Sequence, residues 1–392
     1  MDIRFYIAFF VPFFIVVSCV KCDIYADLAQ EYVNTPPTTP FKSVGFEDIV
    51  PFNSNSWKLE DQSLEWQNKM RDLGRRLKDA KVGLIYFVHG TFAGDDPLGL
   101  VKLFEQKYPY FGKLCKVFNK GLTNTIMGDC GNYTSEYVEL FKKAIDTEIY
   151  CDEFIWNSEN NHLGRLKGSI GLVEKIASDI NGKMPSWGER VLLIGHSHAG
   201  QLFALMTNFL AQSPGVDDLL TFASDGNIDI SRFDEYLQKI RTVQLDYVTC
   251  GTPLRYKWGD GWRDGKYKLL NIINHRGGGF LAGGDIYTIK FYLNFPRTKD
   301  GDYVQQLALA GSDFDMNNLL NKKLDGILGK GEVLENVKVR MRIPSYGKTI
   351  LVDYKDNNTF LPNCRETLFG HGVYTRFEKM LFNTKLIVDE MY

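Results

Sequence analysis

The chain has 392 residues, a net charge of −2, and 44% hydrophobic against 24% charged residues. That length holds one large α/β domain with insertions or two small domains, and the balance is that of a globular protein. No long basic or acidic run marks a nucleic-acid-binding face, so nucleic acid is set aside as a partner.

The N-terminus stands apart. After Arg4, residues 5–20 are apolar, interrupted only by Pro12, Ser18 and Cys19. A membrane-spanning helix needs about 20 residues, so this run is short for one and suits the core of an export signal. Val16, Val17, Ser18 and Cys19 also resemble a bacterial lipoprotein processing site, with Cys19 as the lipidated residue. An uncleaved signal anchor at the membrane is the other reading. Residues 1–22 are therefore expected to be a signal peptide or lipoprotein signal. The rest then lies outside the cytoplasm, whether secreted, periplasmic or membrane-anchored. Residues 23–56 are rich in Pro, Thr, Asn and Ser and read as a tether.

Residues 57–392 read as the folded domain. Ser56 is placed to cap a helix running to about residue 80, with Leu59, Leu64, Met70, Leu73 and Leu77 on its apolar face. Residues 82–88 form a continuous apolar run, the pattern of a parallel strand buried on both faces, and end in His89, Gly90 and Thr91. Residues 92–150 read as a helical cap insertion, with helices expected at 98–118 and 135–149. A short strand (153–156) leads to a helix with apolar residues at 163, 166, 170, 173, 176 and 180. Further strands are expected at 191–194, 246–253, 268–274, 304–310 and 350–354, with helices at 201–211 and 373–391. Strands alternating with helices imply a mainly parallel, doubly wound α/β sheet flanked by helices.

Among Cys115, Cys130, Cys151, Cys250 and Cys364 there is no C-x-x-C pair, which argues against a zinc site. Cys115 and Cys130 are near enough in the chain to close a local disulfide, and Cys250, in an apolar strand, is expected to be a buried free thiol. No metal or organic cofactor is called for.

The chemistry centres on Gly195-His196-Ser197-His198-Ala199, which follows four apolar residues and runs straight into a helical pattern. Strand, tight turn and helix together expose a serine hydroxyl at a sheet's carboxyl edge. The strained turn demands small residues two places before and two places after the serine, and Gly195 and Ala199 supply them. Alone, this pattern arises by chance in about one chain in three or four of this length. A parallel sheet puts its site at the carboxyl ends of its strands, and three such regions carry reactive residues: His89-Gly90-Thr91, Ser197 and the stretch before His371.

In that order, Phe87-Val88-His89-Gly90-Thr91, the Ser197 turn, Thr249-Cys250-Gly251-Thr252-Pro253 and Phe369-Gly370-His371-Gly372-Val373 resemble the α/β-hydrolase superfamily, in its lipase and esterase branch. The resemblance spans residues 82–392 and departs from the family at Ala199, where Gly is commoner. It implies Ser197 as nucleophile, His371 as general base, and the backbone N–H groups of His198 and Thr91 as oxyanion donors. His275 is the second choice for the base. The acid should fall between the two: Asp302 if residues 269–274 are the penultimate core strand, Asp313 if residues 307–310 are. Asp302 is slightly favoured, with Asp285, Asp315 and Asp353 as lesser candidates.

The resemblance implies an exported serine hydrolase acting on carboxylic esters, small or lipid, with the apolar residues of the insertion (Leu98, Leu100, Val101, Leu103, Phe104, Tyr108, Phe111) placed to line an acyl pocket. Thioester or amide hydrolysis and acyl transfer use the same machinery. A binding protein that keeps the fold without turnover is the alternative of a different class.

Overall fold

A computed structural model describes residues 41–42, 49–51, 63–90, 131–158, 162–253, 256–262, 265–275, 301–306, 343–344, 347–354 and 370–392. In chain order these form β1 (Phe41–Lys42), β2 (Ile49–Pro51), α1 (Leu64–Asp79), β3 (Val82–Val88), α2 (Ser135–Ile145), β4 (Tyr150–Phe154), α3 (His162–Gly182), β5 (Arg190–His196), α4 (Ala199–Ala211), α5 (Val216–Asp225), α6 (Phe233–Ile240), β6 (Gln244–Cys250), β7 (Tyr267–Asn274), α7 (Tyr303–Gln306), β8 (Ile343–Pro344), β9 (Lys348–Asp353) and α8 (Met380–Met391). The signal, the disulfide pairing of Cys115 with Cys130, and residues 92–130 of the expected cap lie outside the described residues. Of the expected tether, the described residues 41–42 and 49–51 are strands, and the latter pair with β9 in the main sheet because their backbone finds hydrogen-bonding partners at its edge.

Seven strands make one sheet in the order β2-β9-β7-β6-β5-β3-β4, and every neighbouring pair is parallel. The short antiparallel pair of β1 with β8 is separate from it. Side chains alternate across the sheet. Leu84, Tyr86, Val88, Val191, Leu193, Leu245 and Tyr247 pack into one apolar cluster with α3, α4, α5 and α6. Ile85, Phe87, Leu192, Ile194, Val248 and Leu270 pack into the other with α1, α2 and α8. Helices thus cover both faces, which is why β3 is buried at every position and reads as an unbroken apolar run. Each such Leu, Ile or Val contributes about 1.5–3 kcal/mol by leaving water.

Local chemistry moves several boundaries. α1 starts at Leu64, and its cap is Ser63, whose hydroxyl accepts the Trp66 N–H at 3.2 Å, so Ser56 is not the residue that caps it. An Asp, Ser or Thr in this position stabilises a helix by about 1 kcal/mol. α2 stops at Ile145 because Asp146 turns into the left-handed region at φ 48°. This helix packs on α1 and the sheet, so the described end of the expected cap insertion belongs to the core. The strand expected at 304–310 begins instead as the helical turn α7, because Asp302 Oδ1 accepts the Gln305 N–H at 2.9 Å and so caps it. The last helix begins only at Met380, after two 3-10 turns broken by extended backbone at Arg376. No helix of the described residues is long and apolar enough to cross a membrane.

Candidate active site

The strand order reverses once around β3. From β3 the chain moves outward to β4, then crosses back through α3 to β5 on the other side of β3. In open parallel sheets this reversal leaves a crevice at the carboxyl ends of the two central strands, where ligands bind. The ends that meet there are His89-Gly90 and His196-Ser197. Their contact is intimate: a Cβ on Gly90 would lie 2.6 Å from the Ser197 Cβ and 3.0 Å from the His196 carbonyl oxygen.

Ser197 adopts φ 57°, one of six non-glycine residues at positive φ among the described residues. Such a conformation costs about 1–3 kcal/mol and persists only where its surroundings fix it. Three contacts do so. The Ser197 N–H donates to Cys250 O at 2.9 Å, and the Thr252 hydroxyl donates to Ser197 O at 2.7 Å. Gly195 is the third: a Cβ there would meet the Phe203 ring at 2.5 Å and the Ala199 Cβ at 2.9 Å. Small residues are therefore a packing requirement of this turn. Ser197 is 1% exposed, and its Oγ makes no hydrogen bond among the described residues. His198 is the N-cap of α4, so its backbone stands at the positive end of a helix. Thr91, the other expected oxyanion donor, lies outside the described residues.

His371 and Asp302 meet. His371 Nδ1 lies 2.9 Å from Asp302 Oδ2 and 3.0 Å from Oδ1, and neither side chain is exposed. A carboxylate accepts only, so Nδ1 carries the proton and Nε2 keeps its lone pair. Asp302 also accepts from the Tyr374 hydroxyl at 2.7 Å and from the Gln305 N–H at 2.9 Å. It sits where it does because it follows β7, the last strand but one of this sheet in chain order, and its N–H donates to Asn274 O at the end of β7. The same Asn274 donates from Nδ2 to Gly370 O at 2.9 Å, tying the His371 loop to the Asp302 loop. Gly370 lies directly over Gly301, with no room for a Cβ.

His196 completes the link between the two halves. Its Nε2–H donates to His371 O at 2.7 Å, and the two rings lie 4.6 Å apart. Burial, followed by the neighbouring His371, holds the His196 pKa well below the ordinary value, so the ring stays neutral. His89 serves the neighbouring strand end. Its Nδ1–H donates to Gly90 O at 2.8 Å, its Nε2 accepts the Trp156 N–H at 3.2 Å, and its ring stacks on Trp156. Both flanking histidines are scaffold.

The other candidates fall elsewhere. Asp313, Asp285 and Asp315 lie outside the described residues, and Asp353 ends β9 opposite Pro51. His275 donates its backbone N–H to Val352 O, and burial lowers its pKa to about 4. Cys250 is a buried free thiol, as is Cys151. Among the described residues no group of three or more His, Cys, Asp or Glu is arranged to hold a metal ion. Tyr374, Asn274 and Thr252 hold the site together without having been assigned a role from sequence. Thr252 lay within a stretch carrying the family resemblance, whereas nothing local marks Tyr374 or Asn274.

The chain matches no protein-family model, no curated protein and no solved structure.

Proposed function

We propose that the chain is an exported serine hydrolase of the α/β-hydrolase kind, with a doubly wound sheet, that cleaves carboxylic esters through an acyl-enzyme. The observation that carries this reading is the fully buried His371–Asp302 pair lying against His196, the residue that precedes the strained Ser197. Asp302 holds the imidazole in the tautomer whose Nε2 accepts a proton. His371 takes the Ser197 proton as Oγ attacks the ester carbonyl, then gives it to the leaving alcohol. Oγ has no competing hydrogen bond among the described residues, and catalytic contacts of this type commonly tighten only when substrate is bound. The oxyanion is met by the His198 N–H at the start of α4 and the Thr91 N–H. Water then repeats the sequence on the acyl-Ser197.

The apolar segment at residues 5–20 supports export, with or without anchoring at Cys19, and the apolar residues of the insertion, among them Leu98, Leu103 and Phe104, support an acyl substrate. The test is a fluorophosphonate probe on wild type and Ser197→Ala. Labelling of wild type alone is expected; a folded wild type that takes no label would sink the nucleophile assignment. A series of p-nitrophenyl esters then tests the lipid substrate, an idea that fails if only acetate turns over.

A further inference from the structure

Asp302 is held by more than the histidine it faces. The Tyr374 hydroxyl donates to its Oδ2 at 2.7 Å and accepts the Asn274 N–H at 2.8 Å. That hydroxyl therefore has one direction in which to donate, towards the carboxylate. The Tyr374 ring is fully buried, edge-on to His371 at 6.5 Å and to Tyr354 at 5.5 Å, and 5.7 Å from His196. A phenol alone would satisfy its hydroxyl anywhere; here its position is set by the end of β7, the base loop and the acid loop together.

We propose that Tyr374 is a positioning residue for catalysis: its hydroxyl orients the Asp302 carboxylate and draws off part of its charge, and so sets the basicity of His371. This rests on the reading of Ser197, His371 and Asp302 as a triad. Charge withdrawn by the phenol is charge not available to the imidazolium, so the hydrogen bond keeps His371 less basic than the bare pair would make it. Among the described residues, titratable groups that face His371 include Asp302 beyond β7, His196 at the end of β5 and Tyr374 in the turn after it. Burial and then the charge of Asp302 hold the Tyr374 pKa well above that of an ordinary phenol, so it remains a donor wherever the others titrate.

The experiment is the second-order rate of fluorophosphonate labelling against pH, on the full chain, for wild type, Tyr374→Phe and a variant with 3-fluorotyrosine placed at residue 374. In Tyr374→Phe the acid limb moves up by about 0.5–1 pH unit and the plateau falls about tenfold, as the base gains proton affinity and its carboxylate loses its orientation. Fluorotyrosine keeps the shape and the Asn274 contact but donates more strongly, so its limb moves down. It also carries the test if Tyr374→Phe fails to fold. An acid limb unmoved in the fluorotyrosine variant, with labelling still dependent on Ser197, overturns this assignment alone. No Ser197-dependent labelling of the wild type overturns the triad and this assignment together.

Discussion

His371 and Asp302 lie 69 positions apart in the chain, and their side chains meet in a double contact of 2.9 and 3.0 Å with no exposure to water. The geometry explains why an amide is no substitute for the carboxylate. Asp302 accepts from three donors, His371, Tyr374 and Gln305. Asparagine has one acceptor oxygen and turns an N–H2 towards one of the three, which favours the wrong imidazole tautomer. Asp302→Asn is expected to lower ester hydrolysis by about 10⁴-fold. Asp313→Asn should leave the rate close to that of wild type. Equal, mild losses in the two variants would reject Asp302 as the acid.

The approach of Gly90 to Ser197 makes a second prediction. A methyl group at residue 90 meets the Ser197 Cβ and the His196 carbonyl, backbone-bound groups that have nowhere to retreat. Overpacking of this kind costs about 1–3 kcal/mol of stability. It also shifts the serine, and displacement of a reacting group by about 1 Å costs about 10²-fold in rate. Gly90→Ala is expected to fold with a lowered Tm and to label with fluorophosphonate about 10²-fold more slowly. A variant that labels at the wild-type rate would show that the end of β3 does not bear on Ser197.

Much of the sheet was legible because burial on both faces writes itself into the chain as unbroken apolar runs. β3, β5 and β7 are of this kind, and all three fall within a few residues of where such runs place them. The elbow was legible too, since Gly195 and Ala199 answer a steric demand made within five residues. Sequence favours Asp302 over Asp313 only slightly, because the choice turns on which segment forms the penultimate strand, and that depends on the pairing of β7 with β9 across a long separation. Residues 216–240 carry little sequence signal because α5 and α6 are short and their burial comes from packing on α3 and α4 rather than from a long apolar stripe. The clamp of Asn274 and Tyr374 is invisible locally, since its partners are 100 residues apart.

Buried histidines make the fold acid-sensitive. Burial lowers the pKa of His89, against an opposing contact with Gly90, and lowers that of His275 to about 4; burial, followed by His371, holds that of His196 well below the ordinary value. In the unfolded chain each imidazole takes up a proton near pH 6.5. Between about pH 6.5 and 4 the unfolded state therefore binds more protons, and stability falls as the pH drops. Each group contributes a slope of up to about 1.4 kcal/mol per pH unit in that window and nothing above it. Urea midpoints should be flat from pH 8 to 7 and fall steeply below 6, and His275→Gln should flatten the fall by about one proton. A midpoint independent of pH down to 4.5 would contradict the burial of these rings.

The thiols are expected to be inert. Cys250 lies at the end of β6, its carbonyl holding the Ser197 N–H and its Sγ receiving the Tyr133 hydroxyl at 3.7 Å. Burial pushes the Cys250 pKa up to about 12, and burial likewise pushes Cys151 up to about 12. Thiolate, not thiol, is the reactive form, so neither residue offers a nucleophile near neutral pH. Iodoacetamide at pH 8 is expected to leave the peptides carrying Cys151 and Cys250 unmodified in the native protein and to label both fully in urea, read by mass spectrometry. Rapid native labelling of Cys250 would mean that the floor beneath Ser197 opens to solvent, and that the strained turn is not held by β6 as described.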